Sequence, residues 1–318
     1  MADTPHLILH HYPTSPFAEK VRLMLGFKKL AYCSVHIPPV MPKPDVVALT
    51  GGYRRTPILQ VGSDIYCDTS LIADVLEHLH PEPTLYPAHL KGASRIVAQW
   101  ADTTLFWAAM TYSINPKTAP SMFPDEKMAA VFMADRKAMR TNMTQLRPPD
   151  ATSAYRSYLR RVAHMADEHD YLFGAEPCIA DFAVYHPLWF TKVRTPAAAG
   201  ILQATPSLGE WMERMAAIGH GVPSPMPSED AVDVAARSEP QPPGMNLLVD
   251  SAFQDDHGIP LGTRVTIGAE SFGPEQTEGD LVAATRTHYT LRRTDPRAGT
   301  VHVHFPRIGY VLRKADAT

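Results

Sequence analysis

The sequence of 318 residues contains few cysteines and no long apolar run. Its three cysteines, Cys33, Cys67 and Cys178, are far apart in the chain. They suggest neither a disulfide framework nor a zinc site. No hydrophobic stretch approaches the roughly 20 residues that a membrane-spanning helix needs, and the start MADTPHLILHHYP has no signal-peptide pattern. We therefore expect a protein of the reducing cytoplasm that has no membrane partner.

The sequence also lacks an excess of charge of either sign. The net charge of −3 at pH 7 gives no electrostatic reason to expect nucleic acid or an anionic membrane as a partner. Hydrophobic residues make up 45% of the chain and charged residues 20%, which is typical of a soluble globular protein. At this length the chain can form two or three domains.

Strand and helix patterns alternate over the first 80 residues and then change twice. Strands are predicted at LILHHY, AYCSVHI, TPILQV and DIYCD, with helical patterns at PFAEKVRLMLG and TSLIADVLEHLH. From about 92 to 220 the apolar spacing is helical throughout. Residues 223–244 are rich in Pro, Ser and acidic residues, which favours a linker. After the linker come RVTIGAE, DLVAAT, THYTLRRT, TVHVHF and GYVLRK, which have the pattern of short strands.

Several motifs in this order resemble the cytosolic glutathione transferases. They are SPFAEKVRLML, TPIL, DTSLIADVL, YLFGAEPCIADFAV and PSLGEWMERM. The resemblance implies an α/β thioredoxin-like domain over 5–83, followed by an all-α helical domain over 92–220. Residues 221–244 would be a Pro-rich linker. Residues 245–318 lie outside the resemblance, and we expect them to form a small all-β domain, barrel- or sandwich-like, with its own core.

The resemblance gives Ser15 the catalytic role. In the family a Ser or Cys at this point opens the first helix and meets the glutathione thiol. A cysteine thiol has a pKa of about 8.5, so little thiolate exists free at neutral pH. A hydroxyl donor at a helix N-terminus would stabilise the anion. Lowering the thiol pKa by ~2 units needs ~2.7 kcal/mol, which one good hydrogen bond and the helix dipole can supply.

The resemblance also implies which residues bind glutathione. A cis peptide between Thr56 and Pro57 would present the backbone of Thr56 to the cysteinyl part of the ligand. Asp68 would take the γ-glutamyl ammonium, and Thr69 with the helix amides would take its carboxylate. Lys43 is a candidate for the glycyl carboxylate. The full expected set is Phe17, Lys43, Thr56, Pro57, Asp68 and Thr69, with glutathione as co-substrate.

The resemblance implies an enzyme in which a glutathione thiolate attacks a hydrophobic, electrophilic small molecule. It also implies a homodimer. Tyr12 is an alternative to Ser15, because some family members use a tyrosine at the end of the first strand. The family also contains glutathione-dependent isomerases, dehalogenases and ether-cleaving enzymes, so the reaction type stays open. A different class is a binding or assembly protein of the same fold that has no transferase activity.

A few residues outside these motifs have more than one interpretation. His302 and His304 share one face of a strand, and we expect that face to be in solvent because no third metal ligand is evident. Arg54 and Arg55 either reach the ligand or face water. Replacement of the family's usual Ser or Thr by Cys178 is expected to weaken a helix cap. An apolar second-substrate pocket could be lined by Phe106, Trp107, Met110, Tyr112, Tyr185 and Trp189, although most of these are expected in the core.

Overall fold

The structure, a computed structural model, describes residues 6–123, 125–141 and 143–315. Its first unit has the predicted order of strands and helices. Strands β1 and β2 are parallel, with Leu9 opposite Ser34, and β3 runs antiparallel to both β1 and β4. The elements are β1 (Ile8–His11), α1 (Pro16–Phe27), β2 (Ala31–His36), α2 (Pro44–Thr50), β3 (Ile58–Val61), β4 (Asp64–Cys67) and α3 (Thr69–Leu79).

The second unit is helical, as expected. It comprises α4 (Lys91–Trp100), a π-helical turn (Ala101–Leu105), α5 (Phe106–Ser113), α6 (Ala119–Met122), α7 (Glu126–Met139), α8 (Pro148–Ala166), α9 (Ile179–Trp189), a second π-helical turn (Phe190–Arg194), a 3₁₀ segment (Pro196–Ala204) and α10 (Pro206–Ala217). Helix α9 is apolar on nearly every side and lies in the centre of this unit, packed against α1 and α4.

The start of α9 is held by the buried side chain of Asp181. Its carboxylate accepts hydrogen bonds from the backbone N–H of Cys178 (3.0 Å), the backbone N–H of Leu172 (2.8 Å) and the indole of Trp211 (3.0 Å). Although Cys178 replaces the usual Ser or Thr, Asp181 still caps the start of α9 and connects it to Leu172 and Trp211. Asp181 is a structural residue.

The predicted all-β C-terminal region is present, but it does not close into a barrel or sandwich of its own. Its strands are β6 (Arg264–Ala269), β7 (Gln276–Ala284), β8 (His288–Asp295), β9 (Gly299–Pro306) and β10 (Tyr310–Lys314). Strand β9 pairs in parallel with β4, placing Ile65 opposite Val303. Together with β5 (Val222–Pro225), the strands form one ten-stranded sheet in the order β10-β6-β7-β8-β9-β4-β3-β1-β2-β5.

The expected separate core of the C-terminal strands is also corrected by the structure. Val301, Val303 and Phe305 are buried in one cluster with Ile58 and Ile65 of the first unit. The physical reason is that β4 would otherwise be an edge strand with unpaired backbone groups. Alternation in β9 showed that one face is apolar, but it could not show which surface that face covers.

Residues 221–244, which were expected to be a Pro-rich linker, have regular secondary structure that packs on the sheet. They contain β5 (Val222–Pro225), which pairs in parallel with β2, and α11 (Ser228–Ala236). Prolines are tolerated in β5 because it lies at the edge of the sheet. Helix α11 buries Ala231 and Val232 in the cluster shared by the N-terminal and C-terminal strands.

His302 and His304 lie at the junction of β9 and β4 and are buried, so the expectation of a solvent-facing strand is wrong. His304 Nε2 is 2.9 Å from the Asp64 carboxylate, and His304 Nδ1 is 2.9 Å from the Thr290 hydroxyl. His302 Nδ1 is 3.1 Å from the backbone oxygen of Gln241. Within the described part of the chain, no group of three His, Cys, Asp or Glu side chains is placed to hold a metal ion. None of its helices is long and apolar enough to cross a membrane.

Candidate active site

Ser15 occupies the N-terminal cap of α1. Its Oγ accepts from the backbone N–H of Ala18 at 3.2 Å, and its own N–H donates to the Tyr12 carbonyl at 3.1 Å. Pro16 at the first helical position has no N–H that needs a partner. A hydroxyl has one proton to donate in addition to its acceptor sites. Among the described residues none accepts that proton, so Ser15 can cap the helix and still donate to an anion at its positive end.

A cavity of about 540 Å³ opens beside Ser15. Its walls come from the first unit, from the helical unit and from the C-terminal strands. The cavity brings together every site residue expected from the sequence: Ser15, Phe17, Lys43, Thr56, Pro57, Asp68 and Thr69, with the alternative residue Tyr12. These residues span more than 50 positions of the chain and lie on one surface.

Thr56 and Pro57 are joined by a cis peptide bond, as the sequence predicts. Lys43 lies beside them: its Nζ donates to the carbonyl of Arg54 (3.3 Å) and to the hydroxyl of Thr56 (3.4 Å). Burial and the neighbouring guanidinium of Arg136 lower the pKa of Lys43 to about 7. Lys43 is thus a cation whose charge changes near neutral pH.

Asp68 and Thr69 begin helix α3. Asp68 has a positive φ of 78°, and its Oδ1 accepts from the backbone N–H of Ser70 (2.9 Å) and from the Ser70 hydroxyl (2.8 Å). Its other oxygen accepts from the Tyr310 hydroxyl at 3.1 Å. The Thr69 hydroxyl accepts from Lys20 at 3.0 Å. Both side chains are therefore fixed before any ligand binds.

Lys20 belongs to a buried network that sequence reasoning missed. Its Nζ is 2.5 Å from Asp102, whose second oxygen is 3.0 Å from Nε2 of His186. Burial lowers the pKa of His186. The network connects α1, the π-helical turn after α4, and α9, and so ties Thr69 to the helical unit. The basic residues after Ser15 were visible in the sequence, but nothing local indicated partners more than 80 residues away.

Arg54 and Arg55 contact other segments of the chain and connect the first unit to them. Arg54 forms ion pairs with Asp135 of α7 (2.5 Å) and with Glu275 before β7 (2.6 Å). Arg55 donates from Nε to the carbonyl of Phe272 at 2.6 Å and lies over the ring of Tyr310. Both arginines line the cavity. No local pattern in the sequence indicates that the C-terminal region supplies part of the cavity wall.

Tyr12 also lines the cavity, with its hydroxyl accepting from Arg136 at 3.2 Å. Only some of the apolar residues that could line a second-substrate pocket do so in the structure. Phe106, Trp107 and Met110 line the cavity, whereas the described lining does not include Tyr112, Tyr185 or Trp189. Tyr185 packs edge-to-face against Trp211 within the helical core, at 6.0 Å between ring centroids.

The comparisons with known proteins agree with this geometry. Residues 9–84 match the family model "Glutathione S-transferase, N-terminal domain", and residues 144–214 match "Glutathione S-transferase, C-terminal domain". A GST-like protein from Pseudomonas syringae is 40% identical in a structural match with a TM-score of 0.81, which covers 98% of this chain and 100% of that one. The chain belongs to the glutathione S-transferase family.

Two curated relatives of this glutathione S-transferase family member have different names. FtsZ-localized protein A of Caulobacter vibrioides is 23% identical over 181 residues, 55% of this chain and 72% of its own length. Glutathione S-transferase TCHQD of Arabidopsis thaliana is 26% identical over 165 residues, 50% of this chain and 57% of its own length. The Pseudomonas protein matches nearly the whole chain, so its likeness extends over the C-terminal strands.

Proposed function

We propose that the protein is a glutathione transferase in which Ser15 stabilises glutathione as a thiolate. The observation that carries the proposal is the position of the Ser15 hydroxyl, at the N-terminus of α1 and on the wall of the cavity. The thiol proton passes to solvent, and the thiolate accepts the hydroxyl proton as a hydrogen bond. The sulfur then attacks an electrophilic centre, a carbon–sulfur bond forms, and the leaving group departs with its electron pair.

The other residues of the expected set would hold the peptide part of glutathione. Thr56, with its cis bond to Pro57, offers its backbone to the cysteinyl residue. Asp68 retains lone pairs for the γ-glutamyl ammonium after accepting from Ser70 and Tyr310. Thr69 and the first N–H groups of α3 would bind its carboxylate. Lys43 would pair with the glycyl carboxylate, and Phe17 would contribute an apolar contact.

The test is turnover of 1-chloro-2,4-dinitrobenzene with glutathione by the wild type and by Ser15→Ala. We expect the substitution to remove most of the turnover while the fold persists, because loss of a helix cap costs only about 1 kcal/mol. Tyr12→Phe is the matched control and should retain activity. An active Ser15→Ala together with an inactive Tyr12→Phe would transfer the catalytic role to Tyr12.

A second candidate is a binding or assembly protein of the same fold. It is favoured by the relative FtsZ-localized protein A, whose name describes a location and not a transfer reaction. Glutathione binding without turnover of any of several electrophiles would support this candidate.

For either function we propose a cytoplasmic homodimer. Light scattering at twice the chain mass of 35.1 kDa would support the dimer.

A further inference from the structure

A continuous series of aromatic rings runs along the cavity away from Ser15. Phe17 packs against Phe106 with 4.7 Å between ring centroids, and Phe106 against Trp107 with 4.9 Å. Trp107 then packs against Phe272, before β7, at 5.2 Å. All four residues line the cavity. This surface begins two residues after Ser15 and offers a planar apolar substrate a path along Phe106 to Trp107 and Phe272.

A guanidinium without an acidic partner stands at the end of this path. Arg140, directly after α7, lies over the ring of Trp107 at 5.0 Å from the ring centroid and lines the same cavity. Its Nε is buried and has no hydrogen-bond partner. No ion pair joins it to a carboxylate of the described residues. Arg54 and Arg136 also line the cavity but differ from Arg140, because both pair with Asp135.

The guanidinium of Arg140 is partly buried and has no carboxylate partner among the described residues, which is unfavourable for the free protein. Removing a charge from water costs free energy unless a partner compensates it. Burial and the adjacent Arg136 lower the pKa of the Arg140 guanidinium. The Trp107 ring and the C-terminal end of α7 offer only partial negative charge. An anion in the cavity would supply what Arg140 lacks, and it would be held more strongly there than in water.

We propose that the second substrate carries a carboxylate that pairs with Arg140, while its planar apolar body lies along Trp107 and Phe272. The transfer part of this proposal rests on the proposed function, whereas the carboxylate site does not. The electrophilic carbon then points back along Phe106 and Phe17 towards Ser15. A neutral electrophile would make the apolar contacts and leave the guanidinium unpaired.

The experiment compares 4-chloro-3-nitrobenzoate with its neutral analogue 4-chloro-3-nitrobenzamide at pH 7. In each reaction the glutathione sulfur forms a bond to the ring carbon, the carbon–chlorine bond breaks, and chloride leaves with the bonding electrons. Each kcat/KM is divided by the uncatalysed rate constant with glutathione, which removes the intrinsic difference between the two rings. The variants are Arg140→Gln, Arg140→Lys and, as a control, Arg194→Gln, which removes the same charge elsewhere on the lining.

We expect Arg140→Gln to lower kcat/KM for the benzoate tenfold or more and that for the benzamide less than threefold. Arg140→Lys should keep most of the preference, and Arg194→Gln should keep all of it. Equal losses for both substrates would overturn the proposal, because Arg140 would then act only through packing. A large loss of glutathione affinity in Arg140→Gln, measured by calorimetry, would also overturn it by assigning Arg140 to the glutathione site.

Binding alone decides the proposal if neither compound is turned over. The quenching of tryptophan fluorescence by 3-nitrobenzoate and by 3-nitrobenzamide is then measured without glutathione. Tighter binding of the benzoate that is lost in Arg140→Gln would support the carboxylate site while the transferase function fails. Equal affinity for the two compounds in the wild type would overturn the site.

Discussion

At the scale of single residues, Lys43 carries a charge that changes near neutral pH. Its folded-state pKa of about 7 lies below the ordinary value of 10.5, so the unfolded chain binds more protons than the folded chain between these values. The cost of burying the ammonium is fully present below pH 7, decreases as pH rises from about 7 to 10.5, and is absent above 10.5. A carboxylate bound beside Lys43 would raise its pKa and favour the charged form.

The first prediction follows from that linkage. The affinity for S-methylglutathione, which has no titrating thiol, should fall as pH rises from 6 to 8, because the uncharged amine no longer pairs with the glycyl carboxylate. Lys43→Arg keeps its charge over this range and should remove most of the pH dependence. Calorimetry at several pH values checks both statements. A wild-type affinity that does not change with pH would remove Lys43 from the ligand site.

The second prediction concerns Asp68, whose two oxygens already accept from Ser70 and Tyr310. Asp68→Asn keeps the shape of the side chain and removes the charge that would pair with the γ-glutamyl ammonium. Glutathione affinity should fall about tenfold, the order of one charge-assisted hydrogen bond. The kcat at saturating glutathione should change much less, since the contact is remote from the sulfur. An unchanged affinity would contradict this role for Asp68.

At the scale of secondary-structure elements, local patterns predicted the elements but not their partners. The Ser-Pro pair predicted the start of α1, and the alternation of Val301, Val303 and Phe305 predicted that β9 has one apolar face. Pairing of β9 with β4 joins residues more than 230 positions apart. No local signal contains that information. Proline content favoured a linker where β5 pairs with β2, because composition does not distinguish an edge strand from a loop.

The third prediction tests the contribution of the β9–β4 pairing to folding. A chain that ends at residue 222 loses most of β5 as well as α11 and β6–β10, which exposes the β4 edge and the apolar side chains of Ile58 and Ile65. We expect it to be insoluble or to melt without a cooperative transition. Solubility, thermal melting and glutathione affinity are compared with the full chain. A cooperative melt with unchanged affinity would show that the first 222 residues form an independent unit.

At the scale of the whole molecule, three segments of the chain build one cavity. The first unit supplies Ser15, the helical unit supplies Trp107, and the C-terminal strands supply Tyr310 and the carbonyl that Arg55 meets. The backbone N–H of Gly273 donates to the Met139 carbonyl at 2.7 Å and fixes the C-terminal wall against α7. The end of the cavity that we propose for glutathione could be located from the sequence because its motifs are local. The opposite end could not, because it exists only where distant segments meet.

We propose above that the hydroxyl of Ser15, at the positive end of α1, stabilises the glutathione thiolate. The most direct measurement is the pKa of the bound thiol, obtained from the ultraviolet absorbance of the thiolate as pH is varied, in the wild type and in Ser15→Ala. This role of Ser15 predicts that the pKa of the bound thiol in the wild type lies ~2 units below the ~8.5 of a free thiol. In Ser15→Ala the pKa should rise most of the way back to ~8.5. A bound thiol with the same lowered pKa in both proteins would contradict it.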